Sequence, residues 1–173
     1  MAAAGYSATP LPRKLGFKPG MTAVYLDAPE HLGELLGDLE GVTVRRLLRG
    51  HADLVMCFVT RRRELERRAA RLRAAVAPDG MVWVCWPKKA SKVKTDVTED
   101  VVRDRALAHG LVDVKVCAVD EVWSGLKLVI PVKDRAQAVS ASSGSGATKR
   151  RSESGATKRR SESRATKRRS ESK

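Results

Sequence analysis

The sequence predicts an α/β fold: a three-layer Rossmann-like sandwich whose sheet is mostly parallel with a C-terminal antiparallel hairpin, followed by a disordered basic tail. Three observations predict it. Strand-like and helix-like patterns alternate through residue 133, and right-handed crossovers turn such alternation into a parallel sheet. Residues 52–59 (ADLVMCFV) and 81–86 (MVWVCW) are apolar almost throughout, as strands covered on both faces are. After residue 145 the composition changes to a repeated polar and basic unit.

The elements follow in order. Leu11–Phe17 reads as a short helical turn before Pro19-Gly20. Met21–Leu26 is the first strand. Pro29–Leu39 places Leu32, Leu35, Leu36 and Leu39 at i, i+3, i+4 and i+7, an amphipathic helix with Pro29 in its first turn. Val42–Leu47 and Ala52–Val59 are the next strands. Arg61–Val76 is a helix with Leu65, Ala69, Leu72 and Val76 on one stripe, ended by Pro78-Asp79-Gly80 before strand Met81–Trp86. Asp96 reads as the N-cap of a further helix, with Glu99 at N3, and Gly110 stands just past its end. Val112–Val119 and Leu126–Val132 form a hairpin through Asp120–Gly125.

Three regions result: a Rossmann-like domain over residues 6–133, a flexible linker over 134–145 (rich in Ala and Ser), and a tail over 146–173. The tail is three near-identical nine-residue units, GATKRRSES twice and RATKRRSES once, without Val, Ile, Leu, Phe, Tyr or Trp. It has no apolar surface to offset the entropy of ordering, so disorder is expected.

Charge divides along the same boundary. The chain has 34 Lys+Arg against 20 Asp+Glu, a net of +14, of which the tail carries +8. Each repeat offers a cluster of three cations: Lys149, Arg150 and Arg151; Lys158, Arg159 and Arg160; Lys167, Arg168 and Arg169. These suit a sequence-independent polyanion such as nucleic acid. Ser152, Ser161 and Ser170 follow the clusters and are candidate phosphorylation sites that would cancel much of that charge. Seven arginines on Arg61–Val76 make a second basic face. No run of about 18 apolar residues exists, and Met1–Gly5 lacks the features of a secretory signal, so no membrane partner is expected. Cys57, Cys85 and Cys117 lie in apolar runs without metal-ligand spacing, which indicates buried, reduced thiols and a cytoplasmic location, with no metal.

Two resemblances attach to these residues. Ala77-Pro78-Asp79-Gly80 before one strand, Ala108-His109-Gly110-Leu111 before the next, and the final hairpin resemble the class I methyltransferase fold. Over residues 6–130 the chain resembles an actinobacterial family, the domain-of-unknown-function family 3052. The matching stretches are Tyr6–Leu11, Lys14-Leu15-Gly16, Leu26-Asp27-Ala28-Pro29, Trp86–Ser91, Thr98–Arg103 and Val119–Lys127. That family implies kinship without naming a reaction. The methyltransferase resemblance implies adenosylmethionine, which needs a glycine-rich turn after the first strand and an acidic residue at the end of the second. Here the turn is Leu26–Gly33, with Asp27, Ala28 and Pro29 where glycines belong, and Arg45 and Arg46 stand in the acidic position. No cofactor is therefore expected.

Ligands of open α/β sheets sit beyond the carboxyl ends of the strands. The candidate ligand residues there are Trp86, Lys88, Lys89 and Ser91, with Trp123 and Ser124 of the hairpin. Lysines and a hydroxyl would hold a small anion, and a tryptophan would stack on a ring. Asp27 reads as a helix cap, and no histidine joins a catalytic arrangement. Without an assignable base or nucleophile, the sequence favours a binding or regulatory module without catalysis over an enzyme. The rival reading is an enzyme acting on a small anionic metabolite at the carboxyl edge.

Overall fold

The computed structural model describes residues 8–143. Six strands make one sheet in the order β2-β1-β3-β4-β6-β5: β1 (Thr22–Leu26), β2 (Thr43–Arg45), β3 (Ala52–Phe58), β4 (Val76–Pro87), β5 (Val112–Ala118) and β6 (Trp123–Val129). The first four are parallel to their neighbours, β6 is antiparallel to β4, and β5 is antiparallel to β6. The carboxyl ends of β1 through β5 therefore share one edge, and only β6 runs the other way.

Helices cover both faces, as expected of three layers. Leu15 of α1 (Leu11–Leu15) and Leu32 and Leu36 of α2 (Leu32–Leu36) pack with Tyr25, Met56, Phe58 and Trp83 on one face. Leu65 and Leu72 of α3 (Arg62–Ala75), Val102 and Ala106 of α4 (Glu99–Ala108), and Ala138 of α5 (Arg135–Ser143) pack with Val55, Val82 and Leu128 on the other. β3 and the second half of β4 are buried along nearly their whole length, which is why they read as continuous apolar runs. Trp83 is fully buried, and its indole N–H donates to the Leu15 carbonyl at 2.8 Å, fixing α1 to the sheet.

Several expectations are corrected. α2 is five residues long, not eleven, because Gly37 takes a positive φ of 65° and ends it. The N-cap of α4 is Thr98, whose hydroxyl accepts from Val101 N–H at 3.3 Å. Asp96 instead accepts from Arg62 N–H at 2.6 Å and caps α3 from a distant loop. Asp27 caps nothing; it adopts φ 50° and pairs with Arg68. Residues 135–143, read as part of a flexible linker, form α5, because Ala138 finds apolar surface on the sheet to bury against. The tail with its cation clusters and serines lies outside the described residues.

Candidate active site

The carboxyl edge is built by the turns that leave β1, β3, β4 and β5. The chain passes from β1 outward to β2 and returns on the other side to β3. The crevice at that switch point is where the ligand of such a sheet belongs. Here it is bridged. The Arg68 guanidinium of α3 reaches across to the Asp27 carboxylate, and a second arm of it lies 3.8 Å from Cys57 Sγ. Burial pushes the Cys57 thiol up to about 11 despite that guanidinium, so it stays protonated and inert as a nucleophile at neutral pH.

The next position along the edge carries a His–Asp pair. His31 Nε2 lies 2.6 Å from Asp120 Oδ2, joining the turn after β1 to the turn between β5 and β6. Asp120 is itself held: Oδ1 accepts from Val122 N–H at 2.8 Å and Trp123 N–H at 2.6 Å. Its main-chain carbonyl accepts from Lys88 Nζ at 2.6 Å. The Asp120 side chain is 10% exposed and that of His31 50%. An ionised carboxylate only accepts, so Nε2 carries the proton toward it and Nδ1 is left as the basic nitrogen of an accessible ring. Sequence reasoning missed this pair, because its members are 89 residues apart and only the strand order brings them together.

On the other side of the end of β4 lies a cavity of about 400 Å³, lined by Trp86, Pro87, Lys89, Thr95 and Thr98, with Glu99 and Asp100 of the first turn of α4. Arg103 pairs with both carboxylates, at 2.5 Å to Glu99 and 3.1 Å to Asp100. Of the candidate ligand residues, Trp86 and Lys89 line the cavity and the others do not. Lys88 is a strut to Asp120. The Ser91 hydroxyl donates to the Lys88 carbonyl at 2.6 Å and shapes the short 3-10 turn Lys89–Ser91. Trp123 packs edge-on against Phe58, centroids 5.1 Å apart. Ser124 sits opposite Trp86 in the β4–β6 ladder.

No family model matches the chain, and no curated protein matches it significantly, so the resemblance to family 3052 rests on the short motifs alone. Solved structures do match. A SAM-dependent methyltransferase from Aquifex aeolicus aligns with a TM-score of 0.51 at 15% identity, covering 69% of this chain and 88% of that one. A protein described as a type 11 methyltransferase, from Sulfolobus solfataricus, aligns at 0.51 and 12% identity, covering 69% and 89%. The fold is that of the class I methyltransferases. The expectation of a module without catalysis, more often not an enzyme, is corrected by these neighbours: the solved proteins that share the architecture are named as enzymes, and the rival enzyme reading takes its place.

The methyl donor implied by that fold can be tested against the residues present. Residues 27–31, between β1 and α2, contain no glycine, Gly33 lying inside α2, and the Cβ of Asp27 and Ala28 and the ring of Pro29 occupy the stretch where a backbone would close on the ligand. The crevice is spanned by Arg68 and Asp27. At the end of β2, Arg45 turns away to donate to the carbonyls of Arg49 and His51, and no carboxylate stands there to accept from a ribose. The residues do not fit adenosylmethionine held in the usual way.

Proposed function

We propose that the protein is an enzyme acting on a small anionic metabolite at the carboxyl edge of its sheet. The observation that carries this reading is the His31–Asp120 pair: a half-buried carboxylate, held by main-chain N–H donors, orienting an accessible imidazole at the edge where this architecture holds ligands. In this reading His31 Nδ1 accepts a proton from the substrate and Asp120 stabilises the imidazolium that forms. Across the end of β4 from that pair, the cavity lined by Lys89 and Trp86 offers charge and a flat apolar wall for a second, anionic part of the substrate. Arg103 neutralises Glu99 and Asp100, so they do not repel it. Kinship with family 3052 and a cytoplasmic location belong to the same reading, the latter supported by three unpaired cysteines. Among the described residues, no helix is long and apolar enough to cross a membrane.

The test is a thermal-shift screen of the full chain against phosphorylated and carboxylated metabolites, with adenosylmethionine and adenosylhomocysteine as a separate arm. A ligand at a hundredfold its Kd stabilises by about 2.7 kcal/mol. Lys89→Ala should abolish the shift. His31→Gln should retain it while mass spectrometry shows turnover slowed roughly a hundredfold or more, as loss of a general base does. Absence of any anionic ligand overturns the reading, and saturable adenosylmethionine binding overturns the rejection of that donor.

A further inference from the structure

The face of the sheet that carries α1 and α2 is incompletely covered: the helices lie over β1, β3 and β4, while β5 is exposed along most of its length. Across this uncovered part runs one cross-strand row. Trp83 of β4 is the ladder partner of Lys127 of β6, and Lys127 is the ladder partner of Lys115 of β5. Direct partners project from the same face. Lys115 Nζ stands 6.0 Å from the centre of the Trp83 ring, which confirms the side. Lys18, in the loop after α1, is close enough to act on Lys127 electrostatically. The Lys127 ammonium is held below the usual lysine range, first by burial and then by Lys115 and Lys18. No ion pair among the described residues involves any of the three lysines.

Like charges placed directly opposite on a ladder destabilise a sheet. The arrangement here adds a third cation and supplies no carboxylate. The neighbouring row is Cys85, Gly125 and Cys117, uncharged and with only Cys117 reaching the surface. Cations on an open edge strand with no enclosing wall suit an extended anion more than a small enclosed one. Outside the tail the chain still carries +6 of its net +14.

We infer that the β5–β6 face is a docking surface for the phosphodiester backbone of nucleic acid, with Lys18, Lys115 and Lys127 as its phosphate contacts. The contacts are electrostatic and independent of base sequence. They share no residue with the carboxyl-edge site.

The experiment measures binding of the full chain to a fluorescent DNA duplex by anisotropy across a salt series. The wild type is compared with K115Q/K127Q and with the charge-retaining K115R/K127R. The tail is common to all three, so a difference reports the sheet face. At about 0.9 per phosphate contact on duplex DNA, the Gln variant should show a log–log salt slope shallower by about 1.8, and about tenfold weaker binding at low salt. The Arg variant should match the wild type. K127Q should also raise the melting temperature of the free protein, since it removes the repulsion; a lysine serving only the fold would lower it. An unchanged slope in K115Q/K127Q overturns the inference, as does a wild type that does not bind duplex. Poly-glutamate binding through the same lysines as tightly as the duplex would assign the face to an acidic protein and overturn it too.

Discussion

Gly125 sits where a side chain would be tightly crowded. A Cβ there would stand 3.2 Å from both Cys85 Sγ and Trp83 Cε3, in the middle of the β4–β6 ladder. Gly125→Ala should therefore cost about 1–3 kcal/mol in chemical denaturation, and Cys85→Ala in the same chain should restore part of it; equal stability of Gly125→Ala and wild type would refute the crowding. A second residue-scale consequence concerns pH. Burial raises the Cys57 thiol from its ordinary 9.0 to about 11 and the Tyr25 hydroxyl from 10.0 to about 12. Between the unfolded and folded values the folded protein holds the proton more tightly. The stabilisation is thus fully present below pH 9 and is lost as pH rises toward 11 and 12. For Cys57 the loss is on the order of 2 kcal/mol. Urea titrations from pH 8 to 11 should show declining stability, with a shallower decline in Cys57→Ala because only the remaining groups contribute. At neutral pH, Cys117, the half-buried thiol, should react with a disulfide reagent first, while Cys57 and Cys85 react only on unfolding.

The helix caps are the element-scale counterpart. Thr98 caps α4 directly, so Thr98→Ala should lower stability by about 1 kcal/mol. Asp96 caps α3 across 34 residues of sequence, so Asp96→Ala should destabilise α3 rather than α4; amide exchange that accelerates first in Arg62–Glu64 is the expected signature. The contrast marks what was legible in the sequence. β3, α3 and the hairpin were readable because their apolar spacing is dictated by which faces they bury. The Thr98 cap was missed by two positions because Asp96 satisfies the same local pattern, and only the packing of two helices shows that its carboxylate serves a different one. Arg68 has Glu64 at the right helical spacing, yet its carboxylate partner is Asp27, brought near because β1 and β3 lie side by side. At the carboxyl edge the position of Trp86 and Lys89 followed from strand direction alone. The His31–Asp120 pair did not, since no local periodicity links a turn after the first strand to one before the last.

At the scale of the whole molecule, charge and strand order have separate consequences. If six to eight tail cations meet phosphates, the full chain should bind duplex DNA with a log–log salt slope of about −5 to −7, and a chain ended at Ser143 should retain only the shallower slope of the sheet face. Identical curves for the two chains would remove the tail from the interaction. Strand order bears on how the protein is made. Among the described residues β6 is the last strand, yet it lies between β4 and β5 and is the only strand bonded to β5. A ribosome delivers the chain from its N-terminus, so β1 to β4 can pair as they emerge while β5 waits without a neighbour. The open flank of β4 is meanwhile an unpaired strand edge of the kind that recruits other chains. Closing the sheet depends on β6, Trp123–Val129. Nascent chains arrested before that point should be captured by chaperones and cleaved readily by protease, and those arrested well beyond it should not.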